Sequence, residues 1–349
     1  MTFDMITNHK SQITSHKSQV TNHKSQITSH KSQVTNHKSQ VTSHKSLITS
    51  HKSLINYKHV IIMSNIDRLY ANVAANGHVC VGLDTDISYL PEAFALKFPD
   101  IEDGLVEFNK ALIDSTLDVC ACYKVQIAYY EAYGIAGLRA YARTLAYLRE
   151  KNAIAIADIK RGDIAKTAEM YAKAHFTGEF EADFITLSPY MGLDSLSPYL
   201  PYIKENGKGV FVLIRTSNEG AKDIEYLPTG NGRRVYHEVG EKLQQLGKDY
   251  MGECGYSAIG GVMGCTHPDE AAEIRDMLDT TFFLIPGYGA QGGKAEDIAK
   301  YLRNGNGGVV NSSRGILLAW RKQENGADHF ADCARAEAIR MRDDIRQYL

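Results

Sequence analysis

The strongest constraint on this chain is an alternation that starts at residue 78 and runs to residue 315. Eight short apolar runs recur there: HVCVGLD (78–84), ACYKVQI (121–127), AIAIADIK (153–160), DFITLSPY (183–190), GVFVLIRTS (209–217), SAIGGVMG (257–264), TFFLIPGYG (281–289) and GGVVNSSRG (307–315). Longer stretches with helical spacing separate them, among them ALKFPDIEDGLVEFNKALIDSTL (95–117), GIAGLRAYARTLAYLREK (134–151) and GRRVYHEVGEKLQQLGKDY (232–250). Near-continuous apolar strands suit a parallel sheet covered on both faces, because a strand with one wet face alternates polar and apolar residues. Strand followed by helix, eight times in about 240 residues, predicts an α/β protein with a (β/α)8 TIM barrel. An open doubly wound sheet is the alternative.

The polar residues fall where such a barrel builds a site. Asp84, Lys124, Asp158, Lys160, Ser217, Gln291 and Arg314 each stand at or just beyond the C-terminal end of a predicted strand. That rim carries the active site in this architecture, so charge there reads as chemistry before stability.

The first 62 residues are a different kind of chain. From Asn8 a seven-residue unit runs seven times, from NHKSQIT to SHKSLIN, with His9, His16, His23, His30, His37, His44 and His51 in register. A coiled coil needs two apolar positions per heptad, and most units offer one Ile or Val among weak helix formers. Too little apolar surface is available to fold alone, so residues 1–62 are expected to be a disordered low-complexity tail before a single catalytic barrel at 63–349. Met63, followed by SNIDRLY, makes a natural first residue for that barrel.

Charge divides the same way. The tail holds eight lysines, no arginine and one acid, Asp4, a net of +7. Removing these from the 39 Lys+Arg and 41 Asp+Glu of the whole chain leaves 31 basic and 40 acidic residues in 63–349, a net of -9. An acidic body argues against nucleic acid as its partner, since phosphate-backbone binding needs clustered Lys and Arg. A membrane is not expected either: no run of about 18 apolar residues exists, and the His-Lys pairs interrupt any signal-peptide core. Six cysteines without a C-x-x-C pair read as reduced, mostly buried thiols of a cytoplasmic protein.

The densest chemical signal is ADIKRGDIAKT, residues 157–167. Asp158 and Lys160 are two apart on a strand, so both side chains are expected on one face. Asp163 follows once Gly162 has let the chain turn, and Lys124 enters from the neighbouring strand. In an alternating Asp/Lys cluster each ammonium is kept protonated by its flanking carboxylates, which suits a general acid and not a Schiff-base nucleophile. The bland reading is a set of rim salt bridges. A second signal, PGYGAQGG (286–293) with NSSRGI (311–316), resembles the phosphate grip that barrels build from their last two strand loops. Arg314 can hold a dianion there bidentately.

Together, Gly82-Leu83-Asp84, Lys124, DIKRGDIAKT, and PGYGAQGG before SRGI resemble the orotidine 5'-phosphate decarboxylase family over about residues 65–345. The D-x-K-R-G-D-I form with SPYMG and RTSN is similar to its longer bacterial branch. The resemblance implies that Asp84 binds ribose hydroxyls and that Lys124, Asp158, Lys160 and Asp163 form a charged tetrad. It implies further that Asp163 and Thr167 serve the active site of a partner in a homodimer. Ser217 would bind the pyrimidine ring and Gln291 would bridge base and phosphate. Arg314 and the Gly315 backbone would hold the phosphate. Glu219 departs from the family pattern, where proline often follows Ser-Asn, and the tail has no counterpart in it.

The function so implied is cofactor-independent, metal-free decarboxylation of orotidine 5'-monophosphate to uridine 5'-monophosphate, with Lys160 protonating C6. Two other readings stand beside it. One is a related sugar-phosphate decarboxylase or aldolase on the same Asp-x-Lys-x-x-Asp frame with Mg2+; the other is a non-enzymatic phosphate-ligand binding protein.

Overall fold

A computed structural model of the chain describes residues 17–33, 35, 63–230, 232–265, 268–289 and 292–349. It separates into two compact units, Met1–Ile62 and Met63–Leu349. Of the repeat, residues 17–33 are helical, and every one is exposed. Several of their side-chain hydrogen bonds are local. The Thr21 and Thr28 hydroxyls donate to the Lys17 and Lys24 carbonyls at 2.8 and 2.9 Å, and the His23 and His30 rings pair with Gln26 and Gln33 at 3.3 and 3.2 Å. A disordered tail was expected; residues 17–33 are helical without a buried residue, and most of the remaining tail lies outside the described residues.

The second unit is the expected barrel. Its strands are β1 (Val79–Gly82), β2 (Cys122–Gln126), β3 (Ala155–Arg161), β4 (Phe184–Leu187), β5 (Gly209–Arg215), β6 (Ser257–Met263), β7 (Thr281–Pro286) and β8 (Gly308–Ser312). Each pairs in parallel with the next in chain order, and β8 closes the ring on β1 through Val79↔Val310, Cys80↔Asn311 and Val81↔Ser312. β1, β4 and β6 are buried at every position, as strands covered on both faces must be. Most strands end earlier than their apolar runs, because the glycines and polar residues at their C-terminal ends turn the chain into the rim loops.

Helices cover the barrel where the pattern placed them, with one break. The stretch 95–117 forms two helices, Glu92–Lys97 and Ile101–Thr116. Phe98 precedes Pro99 and so disfavours helical backbone, and the Asp100 carboxylate then caps the next helix by accepting from the amides of Glu102 and Asp103 at 2.9 and 3.3 Å. That helix buries Leu105, Phe108, Leu112 and Ile113, and Phe108 stacks on Phe330 of the C-terminal helix Phe330–Arg346 at 4.9 Å. At the opposite end of the barrel from the predicted site, Arg275 of the helix Ala271–Met277 is buried against the starts of β7 and β8. Among the described residues no helix is long and apolar enough to cross a membrane.

Candidate active site

Four of the predicted residues form one continuous chain of opposite charges across the ends of β1, β2 and β3. Lys124 Nζ lies 3.1 Å from Asp84 Oδ1 and 2.9 Å from Asp158 Oδ2; Lys160 Nζ lies 2.6 Å from Asp158 Oδ1. The β1–β2 register sets Gly82 opposite Lys124, which brings Asp84, two residues on, over the lysine. Gly82 is glycine for a steric reason. A Cβ there would meet Ser313 Oγ at 2.0 Å, and that hydroxyl donates to Asp84 Oδ2 at 2.7 Å. The chain of contacts thus runs from β8 through β1 and β2 to β3.

Asp158 is the hub. Its Oδ1 accepts from Lys160 Nζ and from the Thr186 hydroxyl at 2.9 Å; its Oδ2 accepts from Lys124 Nζ and from Gln126 Nε2 at 3.0 Å. Four donors on two oxygens leave a buried carboxylate fully satisfied. Burial alone would raise its pKa, but the Lys124 and Lys160 ammonium charges override that and hold it well below the usual carboxylate range. Burial likewise works against the Lys124 charge, and the carboxylates of Asp158 and Asp84 more than offset it, keeping the ammonium protonated far above its ordinary value. Lys124 is buried, whereas the Lys160 side chain is 47% exposed and faces the open end of the barrel. One cation is fixed in the wall and the other is free to meet a ligand.

The Asp158–Lys160 contact forms, but not on a regular strand. Lys160 has a positive φ of 43° and the β3–β4 register shifts between Ala157 and Arg161, so a bulge, and not simple two-residue alternation, brings the two side chains together.

The last two strand ends make the second half of the site. After β7, Gly287, Gly289 and Gly292 all take positive φ, and the turn is tied by Gly289 N to Gly293 O at 3.0 Å and Gly293 N to Gly287 O at 3.1 Å. Only glycine adopts this backbone without strain. After β8, Arg314 opens the short helix Arg314–Leu317 with Gly315 beside it. Arg314 is exposed, and no ion pair with another described residue neutralises it. An uncompensated guanidinium beside a glycine turn can take an anion.

The remaining predicted residues are placed as follows. Ser217 lies just past β5 and packs on the end of β6, where a Cβ on Gly264 would meet its amide nitrogen at 2.9 Å. Its neighbour Thr216 is held by Glu225, which accepts from the Thr216 amide at 2.8 Å. Thr167 is exposed in the first turn of the helix Ala165–Phe176. Asp163 is half-buried and accepts from the Ile164 amide at 2.8 Å; among the described residues it makes no contact with Lys124, Asp158 or Lys160, so one chain joins three of the expected tetrad. Gln291 lies outside the described residues.

Sequence reasoning missed Gln126, Thr186 and Ser313, which hold the charged residues in place. Gln126 was legible as the second residue after Lys124 on the same strand. Thr186 and Ser313 were not, because their roles depend on strand neighbours distant in sequence.

A sequence model of the orotidine 5'-phosphate decarboxylase / HUMPS family matches residues 77–328. The chain is 67% identical over 281 residues to the orotidine 5'-phosphate decarboxylase of Clostridium perfringens (strain SM101 / Type A), covering 80% of this chain and 98% of that one. It is 66% identical over 284 residues to that of Clostridium acetobutylicum, covering 81% and 99%. Among solved structures, the OMP decarboxylase of Leishmania donovani superposes with a TM-score of 0.64 at 30% identity, over 82% of this chain and 98% of that one. Motif order, barrel, charged rim and these relatives agree, and the chain belongs to the orotidine 5'-phosphate decarboxylase / HUMPS family.

Proposed function

We propose that this chain decarboxylates orotidine 5'-monophosphate to uridine 5'-monophosphate, the last step of de novo pyrimidine biosynthesis, with its own side chains as the only catalytic groups. Family membership and a high-identity match over nearly the whole length of named decarboxylases support the reaction. The observation that carries the mechanism is the ionised Asp158, buried and shared between two ammonium groups, with Lys160 beside it at the open end.

Loss of CO2 from C6 of the pyrimidine leaves a carbanion with no adjacent carbonyl to accept its charge. The Lys160 ammonium stabilises that charge as it develops and then delivers its proton to C6. Asp158 faces the substrate carboxylate, and the repulsion between them is relieved as CO2 leaves. Lys124 holds Asp158 in place and Asp84 binds the ribose hydroxyls. Ser217 binds the pyrimidine ring, Gln291 bridges base and phosphate, and Arg314 with the Gly315 amide holds the phosphate. Binding energy from that remote phosphate is available to the transition state.

Asp163 completes the tetrad of a second copy, with Thr167 beside it, in a homodimer with shared sites. Its half-buried carboxylate, outside the charge chain of its own subunit, supports this reading. The six free cysteines suit the reducing cytoplasm. Catalysis belongs to residues 63–349 and residues 1–62 are dispensable for it.

The test is spectrophotometric consumption of orotidine 5'-monophosphate by the full chain and by 63–349, with equal turnover expected. Lys160→Ala should lower kcat by about 10⁴-fold or more, the combined scale of a lost general acid and a lost electrostatic stabiliser. Near-normal turnover by that variant would sink the mechanism. Mixing Lys160→Ala with Asp163→Ala, each inactive alone, should restore about a quarter of wild-type activity, since half of the random dimers carry one intact site. No recovery on mixing would remove the shared site.

A further inference from the structure

On its β4 side the bulge in β3 is held by one side chain, Thr186. Ile156 pairs with Phe184 and Ala157 with Ile185, but the next pair is Arg161 with Leu187. Three residues, Asp158, Ile159 and Lys160, therefore stand opposite Thr186 alone. A regular ladder would offer strand carbonyls to the amides of Ile159 and Lys160; here both donate to Thr186 Oγ1, at 3.0 and 2.9 Å. The same hydroxyl donates its proton to Asp158 Oδ1 at 2.9 Å. A hydroxyl has one proton and two lone pairs, and all three are used. Thr186 is buried at 1% exposure, so no solvent competes for them.

This arrangement has consequences for the reacting groups. Lys160 takes a positive φ, which residues with a side chain rarely adopt and which persists only when the surroundings over-determine it. The bond from its own amide to Thr186 holds that conformation. The Thr186 hydroxyl and the Lys160 ammonium also share one carboxylate oxygen, Asp158 Oδ1, so the hydroxyl fixes the end of the salt bridge that the lysine must leave when it gives up its proton.

We infer that Thr186 is a positioning residue for the decarboxylation: its side-chain hydroxyl holds the β3 bulge and aims the Lys160 ammonium and the Asp158 carboxylate at the substrate. The inference rests on the role proposed above for Lys160. It does not require Thr186 to touch the substrate.

The experiment compares Thr186→Val, which keeps the shape and removes the hydroxyl, with Thr186→Ser, which keeps the hydroxyl. Thr186→Ala removes it without adding a methyl that crowds the amides, and carries the expectation of the valine variant should that one not fold. In the hydroxyl-free variant kcat should fall about 100-fold, the scale of an ångström-level misplacement of a reacting group, with KM and the Kd for uridine 5'-monophosphate changed less than about threefold. The serine variant should return to within about threefold of wild type. A crystal structure of the hydroxyl-free variant should show Lys160 out of the left-handed region and its ammonium withdrawn from Asp158 Oδ1. A kcat within about twofold of wild type, a serine variant as impaired as the valine one, or an unchanged Lys160 backbone would each overturn the inference. A wild-type chain that leaves orotidine 5'-monophosphate intact would instead overturn the proposed function, and the variant structure would still decide whether Thr186 sets the bulge.

Discussion

Two buried cations sit at opposite ends of this barrel and are held in opposite ways. At the rim, Lys124 is matched by carboxylates, Asp84 and Asp158, and stays protonated far above its ordinary range. At the base, Arg275 meets carbonyls: its guanidinium donates to Tyr301 O at 2.7 Å, Leu278 O and Thr281 O at 2.9 Å, and Gly307 O at 3.1 Å. It also lies over the Phe283 ring at 3.7 Å. Uncharged dipoles do not offset burial, which pushes the arginine down to about 10, still protonated at neutral pH. The five donors of a guanidinium suit the base because they tie the starts of two strands to a helix end. The rim uses ammonium and carboxylate because its purpose is to keep Asp158 ionised in a dry place. Charge matched by charge answers to a third charge entering the site, whereas charge matched by fixed carbonyls holds a shape.

Replacing each cation by methionine separates the two roles. Lys124→Met should have the larger effect. It leaves buried Asp158 with Lys160 as its remaining cation, so kcat should fall by about 10²–10³-fold and stability by about 3 kcal/mol. Arg275→Met should lower stability by a similar amount, on the order of 3 kcal/mol, because four buried carbonyls lose their donor, while kcat per folded molecule stays within about twofold. Urea midpoints and active-site-normalised kcat check both. An arginine variant that loses turnover as deeply as the lysine variant would erase the distinction between the two ends.

The same contrast explains what could be read from the chain. All eight strands were legible because each is buried over most of its length, and the charges at their ends were legible because an apolar run that stops at Asp84, Lys124 or Arg314 is conspicuous. Three of the four tetrad residues converge as expected, and Asp163 stands apart, bonded to the Ile164 amide. The bulge was invisible, since AIAIADIK reads as an ordinary strand until Thr186 is known to face three of its residues. Arg275 was invisible as well. Within AAEIRDM it reads as one more charge on a wet helix face, and only the closed ring puts the starts of β7 and β8 within its reach.

Acid separates the regions a second time, with a smaller effect. His78, just before β1, is buried with its Nε2 at 3.0 Å from Gly305 O. Burial, aided by the Arg346 charge, pulls it down to about 4. His175, stacked on Phe180 in the helical shell, is also pulled down to about 4, by burial and then by Arg161. Both folded values lie below the ordinary 6.5, so the unfolded chain binds more protons between pH 6.5 and 4. The stability that these histidines contribute is complete above that window and is lost as pH falls through it. Asp158 behaves differently: its contribution is complete above its ordinary 3.8 and is lost only below that value, as pH falls toward its depressed folded pKa. Unfolding free energy should therefore drop by about 2 kcal/mol per histidine between pH 7.5 and 5, while the charge chain at the rim stays intact. His175→Phe removes one of the two titrations and should recover about half of that loss in urea melts across the range. A stability profile flat from pH 7.5 to 5 would mean that these histidines reach water in the folded state, and that the shell of the barrel is looser than its rim.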